Sequence, residues 1–168
     1  MPVMEYSIMN NKGFSLVELL VVIAIMGVML SLAVLGFNSM QVKSQIESQT
    51  RVLFADLNQA RIDSQYLKLR HSIVMQPNSY TYKVYSSENE SRFAGTTLLT
   101  RNVNYQITKK TGSTAADDVT EFDVRGFTND NDTFRINPIG TSAQIDCVVI
   151  ATGRTNMGKM DSGSCVVK

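Results

Sequence analysis

The sequence predicts an α+β fold: a long N-terminal helix, one half transmembrane and the other amphipathic, packed on an antiparallel β-sheet. Three observations predict it. The run Leu19 to Phe37 (LLVVIAIMGVMLSLAVLGF) holds neither charge nor proline. A helical period continues beyond it, with no glycine or proline between Gly36 and Pro77. From His71 the period becomes that of short strands broken by turn residues.

The helix is expected from about Phe14 to about Leu69. Its apolar run would be about 28 Å long as a helix, close to the hydrocarbon thickness of a bilayer. In the second half Ile46, Leu53, Leu57, Ala60, Ser64 and Leu67 recur at helical steps, with Lys43, Glu47, Arg51, Asp56 and Arg61 between them. That stripe reads as the face laid on a sheet. Ser72–Met75 and Tyr80–Tyr85 read as a hairpin about Pro77-Asn78-Ser79, with Tyr80, Tyr82 and Val84 on one face. Further strands are expected at Thr97–Thr100, Val103–Thr108, Val119–Val124, Thr133–Ile136, Ala143–Ala151 and Cys165–Val167. Ser86–Gly95 and Lys109–Asp118 read as loops. A helix followed by many short strands is the α+β pattern.

The totals narrow the function. The formal net charge of +1 is too balanced to argue for nucleic acid by itself. Beyond the first forty or so residues, enough chain remains for one domain with a modest core. Two cysteines, Cys147 and Cys165, suit an extracytoplasmic domain with one disulfide; two reduced thiols are the alternative. They close a loop of roughly twenty residues, so a disulfide would add about 3 kcal/mol on the chain-entropy account. With no His nearby they complete no metal ligand set. No Gly-rich phosphate loop, HExxH or GxSxG occurs, and nothing implies an enzyme or a cofactor.

The N-terminal stretch is the most informative. Lys12 precedes the apolar run, and no Lys or Arg follows until Lys43, which places the N-terminus in the cytoplasm and the rest outside. The run lacks the small-residue end of a secretory signal, so it reads as retained. Glu18, just before it, sits inside the apolar block that Phe14 begins. A lone carboxylate in lipid costs a few kcal/mol unless it is paired. A single helix supplies no cation, so a partner from another chain is the simplest remedy.

Gly13-Phe14-Ser15-Leu16-Val17-Glu18, continuing Leu-Leu-Val-Val-Ile-Ala-Ile, resembles the class III signal of type IV pilins and type II secretion pseudopilins. The resemblance implies cleavage by a prepilin peptidase between Gly13 and Phe14, N-methylation of Phe14, and Glu18 as the carboxylate that neutralises a neighbouring subunit's N-terminal amine. It divides the chain into a leader (1–13), a transmembrane helix (14–37) and a periplasmic pilin-like domain (38–168) that includes the second half of the helix. One departure matters. Major pilins usually carry a proline in this helix, whereas here Gly27 and Gly36 are the only soft points.

Three further stretches resemble GspH/FimT-type minor pseudopilins. They are Leu53–Arg61 ("L-x-x-D-L-x-x-A-R"), Phe122–Gly126 ("F-D-x-R-G") and the apolar strand from Cys147 closing in Gly153-Arg154. DNA-uptake members of that group carry a second arginine after the Gly-Arg, where this chain has Asn156. The basic turn keeps Arg154 and Lys159, which a nucleic-acid reading would use as phosphate contacts; a solvated turn is the plainer reading. Asn129–Asp132 could offer oxygens to calcium but lacks the glycine and distal glutamate of an EF-hand loop, and a polar turn is preferred. His71 has no catalytic partner at meaningful spacing and reads as a helix-to-sheet residue.

The function expected is that of a structural subunit, a minor pilin or pseudopilin. It would be held in the cell inner membrane and assembled into a type IV pilus or a type II secretion pseudopilus. Its expected partners are other pilin subunits, the prepilin peptidase, the inner-membrane assembly platform and membrane lipid. A DNA-binding minor pilin for natural transformation is the alternative.

Overall fold

A computed structural model describes residues 13–109, 118–138 and 140–168, with the side chains of 32–36 also outside the description. The expected leader, apart from Gly13, and most of the expected Lys109–Asp118 loop lie outside these residues. The chain divides into two units, Met1–Ser39 and Met40–Lys168.

Helix α1 spans Leu16–Leu67. In the first unit every described side chain from Gly13 to Ser31 is exposed. Among the described residues no helix is long and apolar enough to cross a membrane; the run Leu19–Phe37 includes residues 32–36, whose side chains are not described. The helix ends two residues before the expected Leu69, because Lys68 adopts a left-handed backbone with φ 56°.

In the second unit nine strands follow among the described residues: β1 His71–Gln76, β2 Ser79–Val84, β3 Thr96–Asn102, β4 Ile107–Lys109, β5 Asp118–Phe122, β6 Thr133–Ile136, β7 Cys147–Ala151, β8 Arg154–Asp161 and β9 Ser164–Val167. They form two antiparallel sheets, ordered β3-β2-β1-β5 and β4-β6-β7-β8-β9. The hairpin forms where the sequence places it, with Gln76 paired to Ser79 across Pro77-Asn78.

The helix stripe is the core face. Ile46, Leu53, Leu57 and Ala60 are fully buried and share one apolar cluster with Ile73, Met75, Phe122, Phe134, Val148 and Ile150. Ser64 is also buried, but Leu67 is exposed at the helix end. Burying a leucine such as Leu53 or Leu57 contributes about 1.5–3 kcal/mol.

Polar side chains fix how the second half of the helix lies on the strands. Tyr80 and Tyr82, alternate residues of β2, donate to Asp56 (2.6 Å) and Asp63 (2.7 Å). Arg101 of β3 adds its Nε to the same Asp56 oxygen at 2.6 Å. Burial and the paired carboxylates push both phenols well above the usual tyrosine range, so they remain donors.

Several strand boundaries differ from expectation. Val103–Gln106 does not join a ladder. Val103 N donates to Asn78 O, and Tyr105 exchanges two hydrogen bonds with the Gln49 amide of α1. The strand expected from Val119 to Val124 stops at Phe122, where Asp123 begins a turn. The strand expected from Ala143 begins at Cys147 instead; Gln144 N donates to Glu47 of the helix at 2.8 Å. The expected basic turn around Arg154 and Lys159 is mostly strand β8.

The free edge of β5 is blunted by side chains. Val119 O accepts from Arg92 at 2.8 Å, and Glu121 N donates to Asp130 at 3.0 Å. Such capping denies the edge to other strands.

Candidate functional site

The N-terminal site lies at the start of α1. Gly13, Phe14 and Ser15 precede the helix, and Leu19 N closes the first turn on Ser15 O at 3.1 Å. A side chain built at Gly13 would meet nothing within 4 Å, and Phe14 is 84% exposed. The Gly13–Phe14 peptide is therefore unobstructed by the described residues. Glu18 sits in the first helical turn, where the helix dipole favours a carboxylate. No cation pairs with it among the described residues.

A second centre lies where the helix end meets the strands. Arg61 is 8% exposed. Its guanidinium donates to Ala151 O and Thr155 Oγ1, both at 3.2 Å, and lies 5.1 Å from the Phe122 ring centroid. Burial lowers its pKa from the ordinary arginine value. One turn on, Gln65 donates to Arg125 O at 2.9 Å.

Arg125 belongs to the turn after β5, and Asp123 organises that turn. Its Oδ1 accepts from the amides of Arg125 and Phe127, both at 2.9 Å, and its Oδ2 pairs with the Arg125 guanidinium at 2.8 Å. Burial pushes the Asp123 carboxyl up. The Phe127 amide, the Arg125 guanidinium and the Arg125 amide outweigh that and hold it below its ordinary value. Gly126 takes φ 78°, and a Cβ there would lie 2.4 Å from Gln65 Nε2. Thr128 N then donates to Thr152 O at 3.1 Å, in the turn between β7 and β8. The three stretches that resemble GspH/FimT proteins thus meet in space, linked by Arg61, Gln65 and the Thr128–Thr152 hydrogen bond.

Cys147 and Cys165 form a disulfide, 18 residues apart in sequence. It joins β7 to β9 across β8, passing Gly158, which pairs with Cys147 on one side and Val167 on the other. Next-but-one strands of a flat sheet lie roughly 9–10 Å apart, yet the two cysteine Cα atoms are 6.1 Å apart. The sheet is therefore sharply curled at Gly158. A Cβ there would lie 2.3 Å from Val166 O and 2.9 Å from Cys165 Sγ.

The structure does not bring Arg154 and Lys159 together. Arg154 opens β8 opposite Ala151, and Lys159 lies opposite Val166. They are five residues apart, roughly 17 Å along a strand. That odd separation in continuous register puts them on opposite faces. Within Asn129–Asp132, Asp130 is paired to Arg92 at 3.1 Å and Asp132 to Lys109 at 3.5 Å. No group of residues that could hold a metal ion occurs among the described residues. His71 is fully buried and hydrogen-bonds Leu69 O through Nδ1 at 2.9 Å. Sequence reasoning missed Arg61 as an anchor and Gly158 as the crossing point of the disulfide. The arginine after an alanine on the helix's apolar stripe was the one available signal.

Residues 8–34 match the model of the prokaryotic N-terminal methylation motif. The fold is similar to the crystal structure of the type IV minor pilin FimU of Pseudomonas aeruginosa, with a TM-score of 0.53 and 16% identity. The match covers 76% of this chain and 96% of that one. No curated protein matches the sequence. The motif sits at the head of the long N-terminal helix, and the antiparallel sheets that follow it complete a pilin-like fold. The motif and the fold both resemble those of type IV pilins and pseudopilins.

Proposed function

We propose that the chain is a minor pilin or pseudopilin of a type IV pilus or type II secretion pseudopilus, supporting filament initiation or protein secretion. The observation that carries this is the methylation motif over residues 8–34, set at the head of a pilin-like fold. In this reading a prepilin peptidase cuts the exposed Gly13–Phe14 bond, and the new Phe14 amine is methylated. Residues 14–37 hold the subunit in the inner membrane, with the N-terminus cytoplasmic and residues 38–168 periplasmic. The assembly platform then draws it into the filament.

Glu18 supplies the drive for docking. Its carboxylate is costly among lipid chains and has no cation among the described residues of its own chain. The Phe14 amine of a neighbour answers it, and the pairing is strengthened by the low dielectric around it. Glu18→Ala is expected to leave the processed subunit in the membrane and out of filaments, as read by shear fractionation and immunoblotting. Normal incorporation would remove the pairing role. Mass spectrometry of the mature N-terminus is expected to find methylated Phe14; any other N-terminus refutes the processing step.

A further inference from the structure

A cavity of about 440 Å³ opens beside the Asp123–Phe127 turn, lined also by the β5 edge and Thr152. Its wall sets Arg70, Arg92 and Arg125 against Glu121, Asp123 and Asp130. Every one of these charges is answered within the wall. Arg70 pairs with Glu121 at 3.0 Å, Arg92 with Glu121 at 3.3 Å and with Asp130 at 3.1 Å, and Arg125 with Asp123 at 2.8 Å.

That balance decides what the cavity is suited to hold. A phosphate would have to draw an arginine from its carboxylate. A metal ion would have to draw a carboxylate from its arginine. Neither meets a net charge of the opposite sign, so neither recovers the loss. A neutral ligand rich in hydroxyls incurs no such loss, because hydroxyls accept from guanidinium N–H groups and donate to carboxylates while the pairs stay intact. The size falls within the range of small-ligand sites. Phe127 adds an apolar surface: Arg125 lies 5.6 Å from its centroid, yet the residue remains 46% exposed. The exposed Asn129 and Thr152 supply an amide and a hydroxyl at the mouth.

We infer that this cleft binds a neutral carbohydrate, with sugar C–H groups against Phe127 and hydroxyls on the arginine–carboxylate wall. The site is independent of how the subunit assembles. The test uses the full chain in a detergent without a sugar headgroup, probed by saturation-transfer difference NMR. The probes are N-acetylglucosamine oligomers and maltose, with inorganic phosphate and a short DNA duplex as charged controls. Saturation is expected on the C–H protons of a neutral sugar and should be insensitive to salt. Phe127→Ala is expected to weaken binding roughly three- to tenfold with an unchanged unfolding midpoint. A response confined to one sugar series would support the site and name its ligand. No transfer to any neutral sugar at millimolar concentration would overturn the inference. So would transfer unaffected by Phe127→Ala, or a response from the charged controls alone.

Discussion

Asp123 shows how one side chain builds a functional-looking corner. Two backbone amides and a guanidinium converge on its carboxylate, which prefers to stay charged in the folded chain. A folded-state pKa below the unfolded value means that this stabilisation is complete above the unfolded value of about 3.9. It is lost as the pH falls through the lower folded value. Asp123→Asn should therefore flatten part of the acid limb of the stability–pH curve while changing little of its shape near neutrality. Urea unfolding at a series of pH values checks this, and an acid limb identical to the parent's would refute it. The residue was visible in the sequence as part of a motif, but its task was not. Arg61 is similar: its acceptors lie 90 and 94 residues away. Local periodicity cannot report a partner at that distance.

Elements were legible in proportion to how locally they are specified. The helix stripe from Ile46 to Ser64 and the Pro77-Asn78 hairpin follow from spacing and turn chemistry alone, and both stand as read. Strand β8 was hidden. Thr155-Asn156-Met157-Gly158-Lys159-Met160 has no clean alternation, and its glycine reads as a breaker. That glycine is what the strand requires, because Val166 and the disulfide occupy the space a side chain would need. Gly158→Val is accordingly expected to displace β9 and to cost about as much as losing the disulfide, about 3 kcal/mol. Thermal unfolding would read the loss, and alkylation under non-reducing conditions should find Cys147 and Cys165 free. A fully oxidised variant of parental stability would show that the close approach is not required.

At the scale of the whole molecule, the second half of α1 has two faces. One is the core stripe. On the other, Val52, Ile62 and Tyr66 are 38%, 56% and 83% exposed. Val52, Ala55, Gln59, Ile62 and Tyr66 recur at steps of three and four, and all are exposed. Among the described residues nothing in the domain covers this face, and in the proposed filament it meets a neighbouring subunit. Ile62→Asp should leave stability within about 0.5 kcal/mol of the parent while sharply reducing incorporation into filaments. Parental incorporation would count against the face as an interface. The α+β class was readable from the chain's periods, whereas the division of the strands into two sheets was not, because β5 enters beside β1 through pairing of residues almost fifty positions apart.

The bond between Cys147 and Cys165 has a mechanical consequence. A hairpin pulled from its free end unzips one pair at a time, each rupture loading the next. Here tension applied at Lys168 reaches Cys165 after only two intervening residues and passes through a covalent link into β7, bypassing the β8–β9 ladder. The last strand is thus protected from peeling, and load enters the sheet at a strand hydrogen-bonded on both sides. In the proposed fibre, that arrangement would turn a sheet edge into a point of attachment.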